Sequence, residues 1–332
     1  MNKRIEKIKG TFIGCAVGDA MGMPTEFMPR ELMAEKYPAG IHGFVASERS
    51  DIVVRTMKAG EITDDTINTV FIAEMIIDKK GVIDTESYID SLRSWIRKNP
   101  EKSRYVNGPS TKAALEALEN GVPLKRSGVR GTTNGASMKI SPIGLICDYK
   151  DMDSLAKKVE SICLPTHNTS VAIAGACAVA ACVSYAMQGG ENIRELWDVA
   201  FRAVEVGSAY GELYPGVSLQ RRMEAVRNLT DECPQEEVLD KLKYFYGTGV
   251  ETAESIPAVL SVITLAGGDP IKAACLSAGL GADTDTIGAI SGAISGCMHP
   301  KFPETMVEQL ERVNQLDFED LARKLEPYVI KT

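Results

Sequence analysis

Two short stretches carry more oxygen than a helix start requires. One is GADTDTIG at 281–288, where Asp283, Thr284, Asp285 and Thr286 precede an apolar run. The other is TDDT at 63–66, where Thr63, Asp64, Asp65 and Thr66 open a second apolar segment. One Thr or Asp suffices to cap a helix, and acidic residues in a first turn suit the helix dipole. Two abutting carboxylates repel each other unless a cation or a proton lies between them. Carboxylates and hydroxyls without nearby His or Cys select hard cations, chiefly Mg²⁺, Mn²⁺ or Ca²⁺. Four aspartates suit two divalent ions better than one. Adjacent helical residues diverge by about 100°, so Asp64 and Asp65 could each serve a different ion.

Two other readings of the second motif fail on its own residues. A phosphatase-type D-x-D-x-T needs Thr where Ile287 stands, and a preceding strand. An EF-hand loop needs an oxygen ligand at 287 and a closing Glu where Ile294 stands. A third chemical segment is GDAMGMPTEF, 18–27. Asp19 there is costly to bury unless it is hydrogen-bonded or paired. Glu26 follows a Gly-x-Pro break that could aim it at a site.

The elements that must position these groups read as helices. DTESYIDSLRSWIRKNP and ENIRELWDVAFRAVEVG repeat apolar residues at helical spacing, with Asp84 or Thr85 and Asn192 as starts, and Pro100 and Gly207 as stops. About a dozen such helices are expected. DIVVRT, near residue 52, is the one fair strand candidate. ASMKISPIGLIC and VAIAGACAVAACVSYAM are apolar nearly all round and belong at the centre of a bundle. Gly288, Gly292 and Gly296 recur every four residues, as do Gly14 and Gly18, so both helices present faces that a neighbour can approach closely. Glycine-rich loops lie at 120–137, 207–218 and 244–251 and are candidate binding loops. No linker or fixed-period repeat divides the chain, so one all-α domain over 1–332 is expected.

The bulk composition excludes several function classes. The 332 residues carry a net charge of −8, which argues against a nucleic-acid or membrane surface as partner. The eight cysteines form no C-x-x-C pair and read as reduced core residues. No signal-peptide h-region precedes Gly10, and the apolar run at 171–187 is short for a membrane span. A cytoplasmic location is expected.

GDAMGMPTE, TDDT, NGASMK and GADTDTIGAISGAI, in this order and at this separation, resemble the ADP-ribosylglycohydrolases from about residue 10 to 298. The resemblance implies an orthogonal all-α fold with two Mg²⁺ or Mn²⁺ ions in a central cleft. It implies metal ligation by Thr63, Asp64 and Asp65 from one side and by Asp283, Asp285 and Thr286 from the other. Asp65 and Asp285 would also take part in catalysis with Glu26, which matches the family's glutamate beside the metals. Asn134 and Gly135 match the block that lines ADP-ribose, and His167, in PTHNTS, matches a T-H motif near the ligand. The implied reaction is hydrolysis at the anomeric carbon of ADP-ribose attached to a protein side chain or a small molecule.

Departures concentrate in the ligand-cradling loop. Lys139 stands where the family usually has Arg, Thr133 replaces Gly, and Ala282 replaces the second Gly of G-G-D-T-D-T; Ile67 and Asn68 also differ from the common pair. Alternative readings are therefore a hydrolase of a smaller ribosyl compound, such as a nucleoside, or a non-catalytic relative that keeps the fold. Lys125, Arg126 and Arg130 could meet a diphosphate, and Tyr210, Tyr214, Tyr244 or Tyr246 could stack on a base. For each of these, an exposed basic loop or a core tyrosine is the plainer reading.

Overall fold

The computed structural model describes residues 2–48, 56–100, 103 and 108–331. Among these residues 17 α-helices are present and no strand or sheet. Extended pairing is limited to three isolated bridges, Ser47 with Met57, Thr133 with Glu251 and Thr169 with Glu212. The DIVVRT candidate spans 51–56, of which 51–55 lie outside the described residues.

The helices that frame the site are α1 (Lys3–Gly22), α2 (Asp64–Asp78), α3 (Thr85–Lys98), α4 (Ser141–Ile146), α5 (Met152–Cys163), α6 (Ser170–Met187), α7 (Ile193–Gly207), α8 (Thr252–Ala266), α9 (Pro270–Ala278), α10 (Thr284–Met298) and α11 (Phe318–Leu325). Their ends follow local chemistry. Asp84 caps α3 by accepting the Ser87 N–H, and Asn192 caps α7 by accepting from Arg194 and Glu195.

At the centre, α1 and α10 lie backbone to backbone. The carbonyls of Gly296, Gly292 and Gly288 occupy the places where Cβ atoms on Gly10, Gly14 and Gly18 would stand, at 2.3, 2.0 and 1.9 Å. Gly22 continues the register against the Thr284 carbonyl at 2.3 Å. The two small-residue faces legible in the sequence are thus partners of each other, and glycine is required on both sides.

Around this spine, α6 is buried along nearly its whole length and packs against α4, α5, α7 and α10. It is long and apolar enough to cross a membrane, yet 89% of it is buried inside the fold, so its apolar surface is spent on packing. All eight cysteines are free thiols, six of them buried. The ASMKISPIGLIC segment is not one central helix. It is a 3₁₀ turn, Asn134–Ala136, followed by the short α4, because Pro142 sits in a first helical turn and starts the helix there.

Candidate active site

The two acidic turns meet at the C-terminal end of α1. Thr63 is the N-cap of α2; its hydroxyl accepts the Asp65 N–H at 3.4 Å and lies 3.1 Å from Asp65 Oδ2. Asp65 is buried and Asp64 half-buried, as expected for neighbours on a helix that diverge.

The second turn sorts its alternating residues. Asp283, Asp285 and Thr286 are buried among the site groups. Thr284 turns the other way, donating its hydroxyl to the Gly22 carbonyl at 2.8 Å. The Asp283 carboxylate accepts the Asn134 side-chain amide, and the Asp283 N–H donates to the Thr248 carbonyl at 2.9 Å.

Glu26 arrives from a 3₁₀ turn, Met23–Thr25, whose Pro24 ends the helical path of α1. The Phe27 N–H then donates to the Ala282 carbonyl at 2.7 Å, which lays this segment beside the second acidic turn. Ala282 holds φ +60°, a left-handed conformation that suits glycine. Ala282→Gly is expected to raise the thermal midpoint, stabilising by about 0.5–1 kcal/mol once the added chain entropy is set against the relieved strain.

Two overlapping triads result. One ligand oxygen each from Asp19, Asp65 and Asp285 lie within 4.8 Å of one another, and so do oxygens from Glu26, Asp283 and Asp285. Asp285 belongs to both. Asp19, singled out in the sequence only for its cost of burial, is the member that motif reading did not place. Its signal was that cost.

Burial and mutual repulsion raise the proton affinity of this cluster. Asp19 is pushed up to about 7, by burial first and the Asp285 charge second. Burial and four neighbouring aspartates, Asp285 foremost, push Asp65 well above the carboxylate range. Burial and Asp285 do the same to Asp283, against the Asn134 hydrogen bond. Asp65 Oδ1 is buried and has no hydrogen-bond partner among the described groups. An orphaned carboxylate oxygen among crowded carboxylates is what a hard divalent cation would satisfy.

A pH prediction follows from these shifts. Between the ordinary carboxylate value of 3.8 and about 7, the folded metal-free protein holds a proton on Asp19 that the unfolded chain has released. Its stability from this source is therefore full below the ordinary value and is lost as pH rises to about 7. Thermal midpoints in EDTA and in saturating Mg²⁺ should accordingly separate as pH rises, because a cation on the neighbouring Asp65 and Asp285 would offset the charge that Asp19 gains on losing its proton. A separation independent of pH would contradict this.

The 131–139 loop reaches the site through Asn134. The Asn134 N–H donates to the Val250 carbonyl at 2.8 Å, which aims its side chain at Asp283. His167 lies beneath the loop rather than in the open. It is 2% exposed, its Nε2 is 3.1 Å from the Thr133 hydroxyl, and its Nδ1 is 2.8 Å from the Thr166 hydroxyl. Burial, with the charge of Lys139, keeps the ring neutral. A Cβ on Gly135 would stand 2.9 Å from His167 Nε2, so the turn needs glycine to rest on the ring. Lys139 is buried and turned inward, its Nζ 3.1 Å from the Tyr88 hydroxyl and 5.5 Å from that ring's centroid.

Lys125, Arg126 and Arg130 are exposed, Arg126 lying 3.9 Å from Glu212. Tyr244 is exposed and donates to Glu31 at 3.0 Å, with Arg30 over its ring; Tyr214 is exposed on the 207–218 loop.

Comparison with known proteins agrees over the whole chain. The family profile of ADP-ribosylglycohydrolase matches residues 1–331. The chain is 32% identical to the uncharacterized protein YegU of Escherichia coli (strain K12) over 98% of both chains. It is 23% identical to the ADP-ribosyl-[dinitrogen reductase] glycohydrolase of Rhodospirillum rubrum, covering 89% of this chain and 86% of that one. A solved structure titled ADP-ribosylglycohydrolase-related protein complex superimposes with a TM-score of 0.73 at 23% identity, over 99% of this chain and all of that one, and supports the fold. With both acidic turns, the glutamate and the asparagine loop assembled at one point, this chain belongs to the ADP-ribosylglycohydrolase family.

Proposed function

We propose that residues 1–332 form a single metal-dependent glycosidase domain that hydrolyses the bond at the anomeric carbon of ADP-ribose attached to a protein side chain or a small molecule. Family membership supports the ADP-ribosyl linkage. The observation that carries the metal-dependent reading is the sharing of Asp285 by two carboxylate triads, with Asp65 Oδ1 orphaned beside it. To this hard-oxygen cluster we assign two Mg²⁺ or Mn²⁺ ions, which Thr63, Asp64, Asp65, Asp283, Asp285 and Thr286 would hold. Such ions would supply positive charge at the site and lower the proton affinity of a water held there.

The chain's own groups do the rest. Glu26, on a turn pinned to Ala282, accepts a proton from the attacking water or assists the leaving group. Asp65 and Asp285 set the negative field that steadies a transition state resembling an oxocarbenium ion. Asn134 and Gly135 line the ligand, and His167 holds their turn from beneath. The eight free thiols accord with work in the cytoplasm.

A second reading is favoured by one observation. Lys139 is buried with its Nζ on the hydroxyl and ring of Tyr88, so its charge is turned inward rather than offered to a diphosphate. A smaller ribosyl substrate, such as a nucleoside, needs no such cation. Calorimetric titration with ADP-ribose, in Mg²⁺ and again after EDTA, separates the two. Binding that disappears with the metal supports the ADP-ribosyl substrate. Metal uptake without ADP-ribose binding moves the assignment to the smaller one, and uptake of neither removes the dinuclear hydrolase.

A further inference from the structure

Asp19 is fully buried on the last turns of α1, next in sequence to the Gly18 contact with α10. Its carboxylate accepts the Thr63 N–H at 3.0 Å, the Thr66 N–H at 3.1 Å and the Thr66 hydroxyl. Thr63 caps α2 through the Asp65 N–H, and Asp19 takes two further amides of the same turn from a different helix. The first turn of α2 is thus capped twice, once from within and once in trans.

A cap alone does not explain the charge. Asn caps a helix about as well as Asp, and it would bury no charge beside Asp65 and Asp285. A carboxylate here costs stability in the metal-free protein, since it is fully buried with an oxygen within 4.8 Å of oxygens of Asp65 and Asp285. What the charge adds is a rigid grip on the Thr66 hydroxyl and on the amide of Thr63, which bracket Asp64 and Asp65, two of the three candidate ligands of that turn.

Resting on the ion-binding reading above, we infer that Asp19 is a positioning residue. It ties the 63–66 turn of α2 to the α1–α10 spine, so that the oxygens of Asp65 face those of Asp285 in a fixed register. Because Asp283 and Asp285 open α10 itself, this one carboxylate references the ligands of α2 to those of α10. Groups that orient metal ligands in this way typically govern affinity by 10–100-fold.

The test titrates Mn²⁺ into wild type, Asp19→Asn, Thr66→Val and Thr66→Ser, following the free ion by its electron paramagnetic resonance. Thermal midpoints in EDTA are measured in parallel. Asp19→Asn is expected to weaken Mn²⁺ binding about 10–100-fold without lowering the midpoint in EDTA. Thr66→Val, which removes the hydroxyl gripped by Asp19, should weaken binding in the same direction, and Thr66→Ser should restore it. Wild-type affinity in Asp19→Asn overturns the inference. So does weakened binding in Asp19→Asn with none in Thr66→Val, which would make Asp19 a direct ligand. Should Asp19→Asn fail to fold, the Thr66 pair decides by itself. Wild type that takes up no Mn²⁺ removes the ion-binding reading instead, and the inference falls with it.

Discussion

Replacing Asp285 with Asn is expected to abolish high-affinity binding at both ion positions and to lower kcat/KM by at least about 10³-fold. The magnitude reflects the several kcal/mol that a bound ion contributes to a developing charge, at about 1.4 kcal/mol per tenfold. Asp285 is chosen because it alone belongs to both triads. Asp283→Asn touches only one of them, and Asp64→Asn removes a half-buried carboxylate outside both, so each should cost less. The stability signature separates this from a folding defect. In EDTA the Asp285→Asn midpoint should equal or exceed that of wild type, because one charge leaves a crowded buried cluster. Added Mg²⁺ should then raise the wild-type midpoint by mass action and leave the variant unmoved. Equal Mg²⁺ shifts in the two proteins would sink the shared-ligand assignment.

Gly18→Ala is expected to be the most damaging single methyl in the chain, costing more than about 3 kcal/mol, at the severe end of overpacking. The added Cβ would stand 1.9 Å from the Gly288 carbonyl oxygen and 2.2 Å from its carbon. Those are backbone atoms of a buried helix, so no side chain can swing aside; the helices must part. Separation would also pull Asp19 from the 63–66 turn and Gly22 from Thr284, so metal affinity should fall with stability. Gly216→Ala is the control, because nothing lies within 4 Å of the place its Cβ would take. It should fall within about 0.5 kcal/mol of wild type by chemical denaturation. Near-wild-type stability in Gly18→Ala would mean that the close approach of α1 and α10 is not obligatory.

How much of this was legible beforehand depended on whether a property belongs to a segment or to a pair of segments. The caps at Asp84 and Asn192 are local, and hydrophobic spacing located both helices. The oxygen surplus in TDDT and DTDT was likewise local, and it pointed to hard-cation chemistry without any partner being known. The glycine faces of 14–18 and 288–296 were visible as faces, but periodicity says which side is flat and not what lies against it. Asp19 was marked by the cost of burying it; only the fold reveals that its donors come from α2. His167 has one hydroxyl partner beside it in sequence, Thr166, while the other, Thr133, reaches its ring only through loop packing. The break at Pro142 was readable in principle and was outweighed by the apolar run around it.

The spine also has a consequence for how the protein is made. Its two strands of glycine contact come from opposite ends of the chain: α1 ends at Gly22, and α10 does not begin until Thr284. At about 5–20 residues per second, a ribosome needs tens of seconds to travel from one to the other. Throughout that interval the N-terminal helix waits with its narrow groove unfilled and Asp19 ungripped by a completed site. Final closure is then a single late event joining the first helix to one of the last, with the high sequence separation that slows folding. Nascent chains arrested before residue 284 should be protease-sensitive in α1, and those extended past 298 and clear of the exit tunnel should be protected there.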